Sequence, residues 1–99
     1  MITLKKPVRF EWDKGNQEKN YKKHKVVITE AEEVFFDKNR KILKDILHSK
    51  KEDRYLIIGE TKQKRILFIA FTLRKNQIRI VSARDLNKKK ERRLYEKTT

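Results

Sequence analysis

The chain has no cysteine, one proline and two glycines among its 99 residues. Without thiols there is no disulfide staple, thiolate metal site or cysteine nucleophile, and the chain suits a reducing compartment. Gly15 and Gly59 stand alone, so a Walker loop, a dinucleotide fingerprint and a nucleophile elbow are all excluded. Apolar runs are equally scarce. Nothing approaches the roughly 18 residues that span a bilayer, and Met1 to Arg9 lacks the apolar stretch of a signal peptide. These absences predict a soluble, cytoplasmic protein with no membrane partner. Acid is scarce as well: 14 Asp and Glu face 28 Lys and Arg, a formal charge of +14. That excess predicts a polyanionic partner and says little about fold.

At this length the chain forms one domain over residues 1–99, and its 36% hydrophobic residues suffice for one small core. The charge is uneven. Residues 1–27 hold eight basic against three acidic side chains and residues 74–99 ten against three, while residues 28–37 hold four acidic and none basic. Such blocks predict a fold that brings the two ends to a common basic face, with the acidic segment elsewhere. His24 and His48 have no metal-ligand spacing, and the carboxylates gather only where a helix start explains them, so no metal or cofactor is expected.

Period and punctuation give the elements. Val8 to Trp12 alternates as a half-buried strand, and Asp13 is a suitable N-cap for a basic helix reaching Lys23 or His24. Thr29 to Glu32 fits a capping box that starts a second helix, with Ala31, Val34 and Phe35 on one apolar face. Ile42 to Leu47, Tyr55 to Gly59, Ile66 to Leu73 and Gln77 to Ala83 read as four strands in antiparallel hairpins. Ile66 to Phe71 is apolar on both faces and belongs at the sheet centre. A closing helix begins near Asn87, with five basic side chains between Lys88 and Arg93. The predicted architecture is α+β: an antiparallel β-sheet packed with helices, in the order βααββββα.

What remains for chemistry is a surplus of Arg and Lys, two His, and aromatic side chains at Trp12, Tyr21, Tyr55 and Tyr95. Those are the parts of a metal-independent ribonuclease, in which a base takes the 2′-OH proton and fixed cations stabilise the developing phosphorane. They equally make a non-catalytic nucleic-acid-binding module, which needs cations for phosphates and aromatics for stacking but no base.

Several stretches then carry a resemblance. Phe10-Glu11-Trp12-Asp13, Asn20 with Lys23-His24, Glu30 to Phe35, and Asp53-Arg54 with Ile58-Gly59 look like the BrnT family of type II toxins. Arg65-Ile66-Leu67 with Phe71-Thr72, Ile78 to Arg84, and Glu91-Arg92-Arg93 with Tyr95-Glu96 continue the likeness over nearly the whole chain. The resemblance implies a RelE-like fold and an endoribonuclease that arrests translation. It also implies a cognate BrnA-type antitoxin, a ribbon-helix-helix DNA-binding protein through which operator DNA is reached indirectly; the alternative is a corepressor component of that complex. Carried over by position, it makes His24, Arg65, Arg79 and Arg84 the candidate catalytic residues. Trp12, Lys23, Arg92, Arg93 and Tyr95 become candidate RNA-binding residues. Lys25 stands where the family often has glycine, and Asn16 where it often has lysine.

Each residue also has a plainer role. His24 fits a helix-end cap, Trp12 a core anchor, Asp13 an N-cap, and Lys88 to Arg93 a solvated face. Arg65, Arg79 and Arg84 fit such a role least, because arginines at strand positions cost desolvation unless they line a groove.

Overall fold

The computed structural model describes residues 9–12, 15, 19, 21, 24–46, 52–74, 77–86 and 89–96, with Lys90, Glu91 and Leu94 by backbone alone. Its elements are β1 (Arg9–Glu11), α1 (Ile28–Val34), β2 (Lys41–Lys44), β3 (Arg54–Glu60), β4 (Ile66–Arg74), β5 (Gln77–Asp85) and α2 (Lys89–Glu96). Gly15, Lys19, Tyr21 and His24 have helical backbone ahead of α1. The strands form one five-stranded sheet in the order β1-β5-β4-β3-β2. The class is α+β, and the doubly apolar strand β4 lies at the centre.

The sheet is mixed, which corrects the antiparallel expectation. Phe10 lies beside Ile78 and Glu11 beside Arg79 in a parallel pair, while the other three pairings are antiparallel. Alternation over five residues reveals a strand but not its direction. A parallel neighbour needs a long crossover, and here the chain between β1 and β5 supplies it.

One sheet face carries the core. Ile57, Leu67, Ile69, Phe71, Ile78, Ile80 and Ala83 are buried there against Val26, Ala31, Val34 and Phe35. Phe35 meets Phe10 and Phe71 edge-on at centroid distances of 5.3 and 5.1 Å, so α1, β1 and β4 share one aromatic seam. The expected helix face Ala31, Val34, Phe35 is the one that packs.

The start of α1 differs from the capping box expected at Thr29. Val27 is the N-cap, and the Glu30 carboxylate accepts the Val27 amide at 3.3 Å. A valine side chain cannot accept in return, so only the backward half of the box exists. Glu32 is thereby left to accept the Trp12 indole N–H at 2.8 Å. Likewise β2 ends at Lys44, and Ile46 beyond it is 81% exposed.

Strand β5 contains a register shift. Ala70 pairs with Ser82 but Phe71 pairs with Ile80, so Val81 is an extra residue. Arg79 and Arg84 are five positions apart and strict alternation would put them on opposite faces. The bulge restores both to the face away from the core, opposite Thr72 and Phe68 respectively.

Candidate active site and nucleic-acid interface

The C-terminal end of β5 gathers charged groups from four places in the sequence. Arg65, just before β4, donates Nε to Asp85 Oδ1 at 2.6 Å and Nη2 to Asp85 Oδ2 at 3.0 Å. Its Nη1 donates to Glu30 of α1 at 3.1 Å and to the Lys25 carbonyl at 2.8 Å, and Nη2 also reaches the His24 carbonyl at 2.8 Å. All five guanidinium N–H donors are thus engaged. The hydrogen bonds that Arg65 donates to Asp85 outweigh the opposing effect of burial, with those to Glu30 adding to them, and hold the Arg65 proton more tightly than usual. Asp85 is held below the ordinary carboxylate range, first by the Arg65 hydrogen bond and also by the nearby His24, against some desolvation.

This clasp fixes the turn that follows His24. Lys25 has φ of 56°, left-handed backbone that glycine adopts without strain, and its amide bonds the Tyr21 carbonyl at 2.9 Å. The turn therefore forms with lysine in place of the family's frequent glycine. Arg84, the neighbour of Asp85, donates Nη1 to the Asp85 carbonyl at 3.1 Å and lies 4.4 Å from the Phe68 ring centroid. A guanidinium over an aromatic face is also the arrangement in which a nucleic-acid base stacks.

The structure thus brings the His24 turn and Arg65 to Asp85, sets Arg84 next in the strand but on the opposite sheet face, and leaves Arg79 a strand's length away on that outer face. Five residues of strand span about 15 Å, so Arg79 belongs to a different neighbourhood. Arg79 lies in register between Glu11 and Thr72, and Thr72 in turn opposes Arg54, forming one rung across the outer face. Arg74 follows on the same face and forms an ion pair with Glu52 at 2.5 Å, while Arg54 Nε is 3.6 Å from Asp45 Oδ2.

Among the other candidates, Trp12 packs against the core with its indole on Glu32. Tyr95 donates its hydroxyl to Asp37 Oδ2 at 2.6 Å, tying α2 to the end of α1. Burial first, and then this bond, push the Tyr95 hydroxyl pKa up. Burial would raise the pKa of Asp37, but the Tyr95 bond, the Asn39 and Glu60 amides and Arg40 outweigh it and leave that carboxyl lowered. Arg92 and Arg93 are exposed on α2. Lys23, Asp13, Asn16 and Asn87 lie outside the described residues. Sequence reasoning missed Asp85 and Glu30, whose part in the site emerges only when the strand end and α1 meet. Among the described residues, no three His, Asp or Glu converge to hold a metal ion, and no helix is long and apolar enough to cross a membrane.

A family profile described as the ribonuclease toxin, BrnT, of type II toxin-antitoxin systems matches residues 12–90. The chain belongs to the BrnT toxin family. No curated protein matches it significantly. Its fold is similar to the 1.1 Å crystal structure of the Brucella abortus ribonuclease toxin BrnT, with a TM-score of 0.62 and 19% identity, covering 82% of this chain and 99% of that one. As a BrnT-family member the chain is a toxin of a type II toxin-antitoxin system, and such a system implies an antitoxin partner.

Proposed function

We propose that this chain, a single domain over residues 1–99, is a cytoplasmic, metal-independent endoribonuclease that cuts RNA and inhibits translation. A cognate BrnA-type ribbon-helix-helix antitoxin would neutralise it and link it indirectly to operator DNA. The observation that supports this best is the end of β5 in a chain of a ribonuclease-toxin family, where Arg65 clasps Asp85 and the His24 carbonyl and Arg84 bonds the Asp85 carbonyl from the other face of the strand. In the proposed reaction O2′ attacks phosphorus and the bond to O5′ breaks. The O2′ proton passes to a base and O5′ takes a proton, leaving a 2′,3′-cyclic phosphate and a 5′-hydroxyl. RNA supplies its own nucleophile, which is why so small a domain suffices.

Arg84 is assigned to the phosphorane charge and His24 to proton transfer. Arg65, with its donors engaged, positions the His24 turn. Arg79 on the outer rung, Lys23, Trp12, Tyr95, and Arg92 and Arg93 on α2 are assigned to holding the flanking RNA. Purified chain free of antitoxin should cut labelled RNA in EDTA and leave cyclic phosphate ends. Arg84→Ala should slow cleavage about 10²- to 10³-fold, as for loss of one oxyanion donor, with an unchanged circular dichroism spectrum. RNA left intact with and without ribosomes would sink the proposal and favour a binding module or a corepressor.

A further inference from the structure

The outer face beyond the bulge presents a feature that cleavage at the β5 end does not use. Thr72 is 6% exposed, and its buried Oγ1 makes no well-formed hydrogen bond but lies toward the Glu52 carboxylate. A buried hydroxyl without a well-formed hydrogen bond is costly, so its presence near the end of a central strand calls for a compensating role. Its surroundings are rich in arginine, with Glu11 at the far side of Arg79. Arg79 is its in-register neighbour on β5, Arg54 its neighbour on β3, and Arg74 lies two residues along the same face of β4. Into this group reaches one carboxylate from outside the sheet, Glu52, gripped in a fork by Arg74 Nε at 2.5 Å and Nη2 at 3.2 Å. A fork of two N–H groups on two oxygens is the geometry with which arginine binds a phosphodiester. Glu52 therefore occupies the place such an oxygen pair would take.

We propose that Thr72, Arg74 and Arg79 form a second phosphodiester subsite of the RNA path, and that the Glu52 carboxylate is an internal mimic which the RNA backbone displaces. The proposal rests on the RNA-binding reading above and extends it, by about 15 Å along β5, away from the cluster around Asp85. That separation corresponds to a few nucleotides of extended single strand. The subsite binds RNA flanking the cut and takes no part in proton transfer. When Glu52 withdraws, the phosphodiester replaces it as the acceptor facing Thr72 Oγ1, and Arg74 exchanges one oxyanion for another. Glu52 also lowers the affinity for short or poorly seated RNA, since each ligand must first compete with a tethered carboxylate.

The test is equilibrium titration of the full chain with a fluorescein-labelled 2′-O-methyl oligoribonucleotide, which cannot be cut, and with inorganic phosphate as competitor. Glu52→Gln should tighten oligonucleotide binding about threefold to tenfold. Asp53→Asn, the same charge change one residue away at a carboxylate 3.4 Å from Lys44, should change it less than twofold. Thr72→Val should weaken binding about threefold while leaving the melting temperature unchanged or higher, a combination that a purely structural threonine would not give. In an Arg74→Ala background the gain from E52Q should vanish. Equal tightening by E52Q and D53N would show a general charge effect and overturn the proposal, as would no tightening by E52Q. Displacement of the oligonucleotide by phosphate at equal concentration would also overturn it, by showing a site for the free ion. If RNA is never cut but E52Q still tightens binding selectively, the subsite stands and the ribonuclease assignment falls. If RNA is cut and E52Q is silent, the reverse holds.

Discussion

Lys25 and Gly59 show how single backbone positions hold the site. Lys25 adopts φ of 56° because the helical segment through His24 must turn sharply into α1, and the Arg65 bond to its carbonyl fixes that turn. A non-glycine residue in this conformation costs roughly 1 kcal/mol, partly offset by the larger unfolded-state entropy of glycine. Lys25→Gly should therefore raise stability by about 0.5 kcal/mol in urea unfolding; a loss would mean that the lysine side chain contributes more than its backbone costs. Gly59 is required for the opposite reason, a close approach. A Cβ there would stand 2.7 Å from Val34 Cγ1 and 2.9 Å from the Val34 carbonyl oxygen. Gly59→Ala should destabilise by roughly 1–3 kcal/mol through overpacking. Adding Val34→Ala removes one of the two clashes, so the double variant should be less damaged than the two single losses added together.

At the scale of elements, the period of the sequence revealed more than its punctuation. Strands β3, β4 and β5 lie where alternation and apolar runs predicted them, because burial on one face imposes a period that survives in the residues. The apolar face of α1 was legible for the same reason. Three features were not. The capping position depends on which glutamate is nearest the Val27 amide, and the competing indole of Trp12 captures Glu32 from 20 residues away. The parallel direction of β1 is set by a crossover and leaves no local mark. The bulge at Val81 decides that Arg79 and Arg84 share a face, yet nothing in Ile78 to Arg84 separates a bulged strand from a regular one. Of the candidate site, the arginines were visible as residues that fit a strand poorly, whereas Asp85 and Glu30 were ordinary until the fold placed them on Arg65. This clasp joins the turn after His24, α1 and β5, so Arg65→Lys, which keeps the charge but loses the fork, should cost both stability and cleavage. Arg65 is about three-quarters buried and Asp85 about half exposed. That places the loss between surface and buried pairs, at roughly 1–3 kcal/mol. Arg84→Ala should cost cleavage alone. If R65K unfolds at the wild-type urea midpoint, the clasp does not hold these elements together.

For the whole molecule, the +14 charge and its few carboxylates set the range of pH over which the fold persists. The basic α2 is not set apart from the acidic segment as the charge blocks suggested: Tyr95 bonds Asp37 at the end of that segment, so the acid there ties the C-terminal helix down. Asp37 and Asp85 both have pKa values below those of free carboxylates. A group whose folded pKa is depressed contributes stability that is complete above its unfolded pKa, near 3.9. That contribution disappears as pH falls through the lower folded value. Tyr95 works in the other direction. Its pKa is raised, so its contribution is complete below the unfolded value near 10 and is lost as pH climbs past it. Stability should therefore hold a plateau between about pH 5 and 9 and fall on both sides. The acid side should be steeper, because protonating the 14 carboxylates leaves the repulsion among 28 basic side chains unopposed. Melting temperatures measured from pH 2.5 to 11 for wild type, Asp37→Asn and Tyr95→Phe check this. Y95F should melt lower than wild type at pH 7. The gap should close as pH falls through the depressed Asp37 value, where Asp37 becomes neutral and Tyr95 loses its charged acceptor, and should narrow again above pH 10, where the unfolded tyrosine ionises while the folded one still holds its proton. A gap that stays constant down to the lowest pH measured and is unchanged in an Asp37→Asn background would show that Tyr95 stabilises through packing of its ring, and that the bond to Asp37 does not carry the coupling between α2 and the rest of the fold.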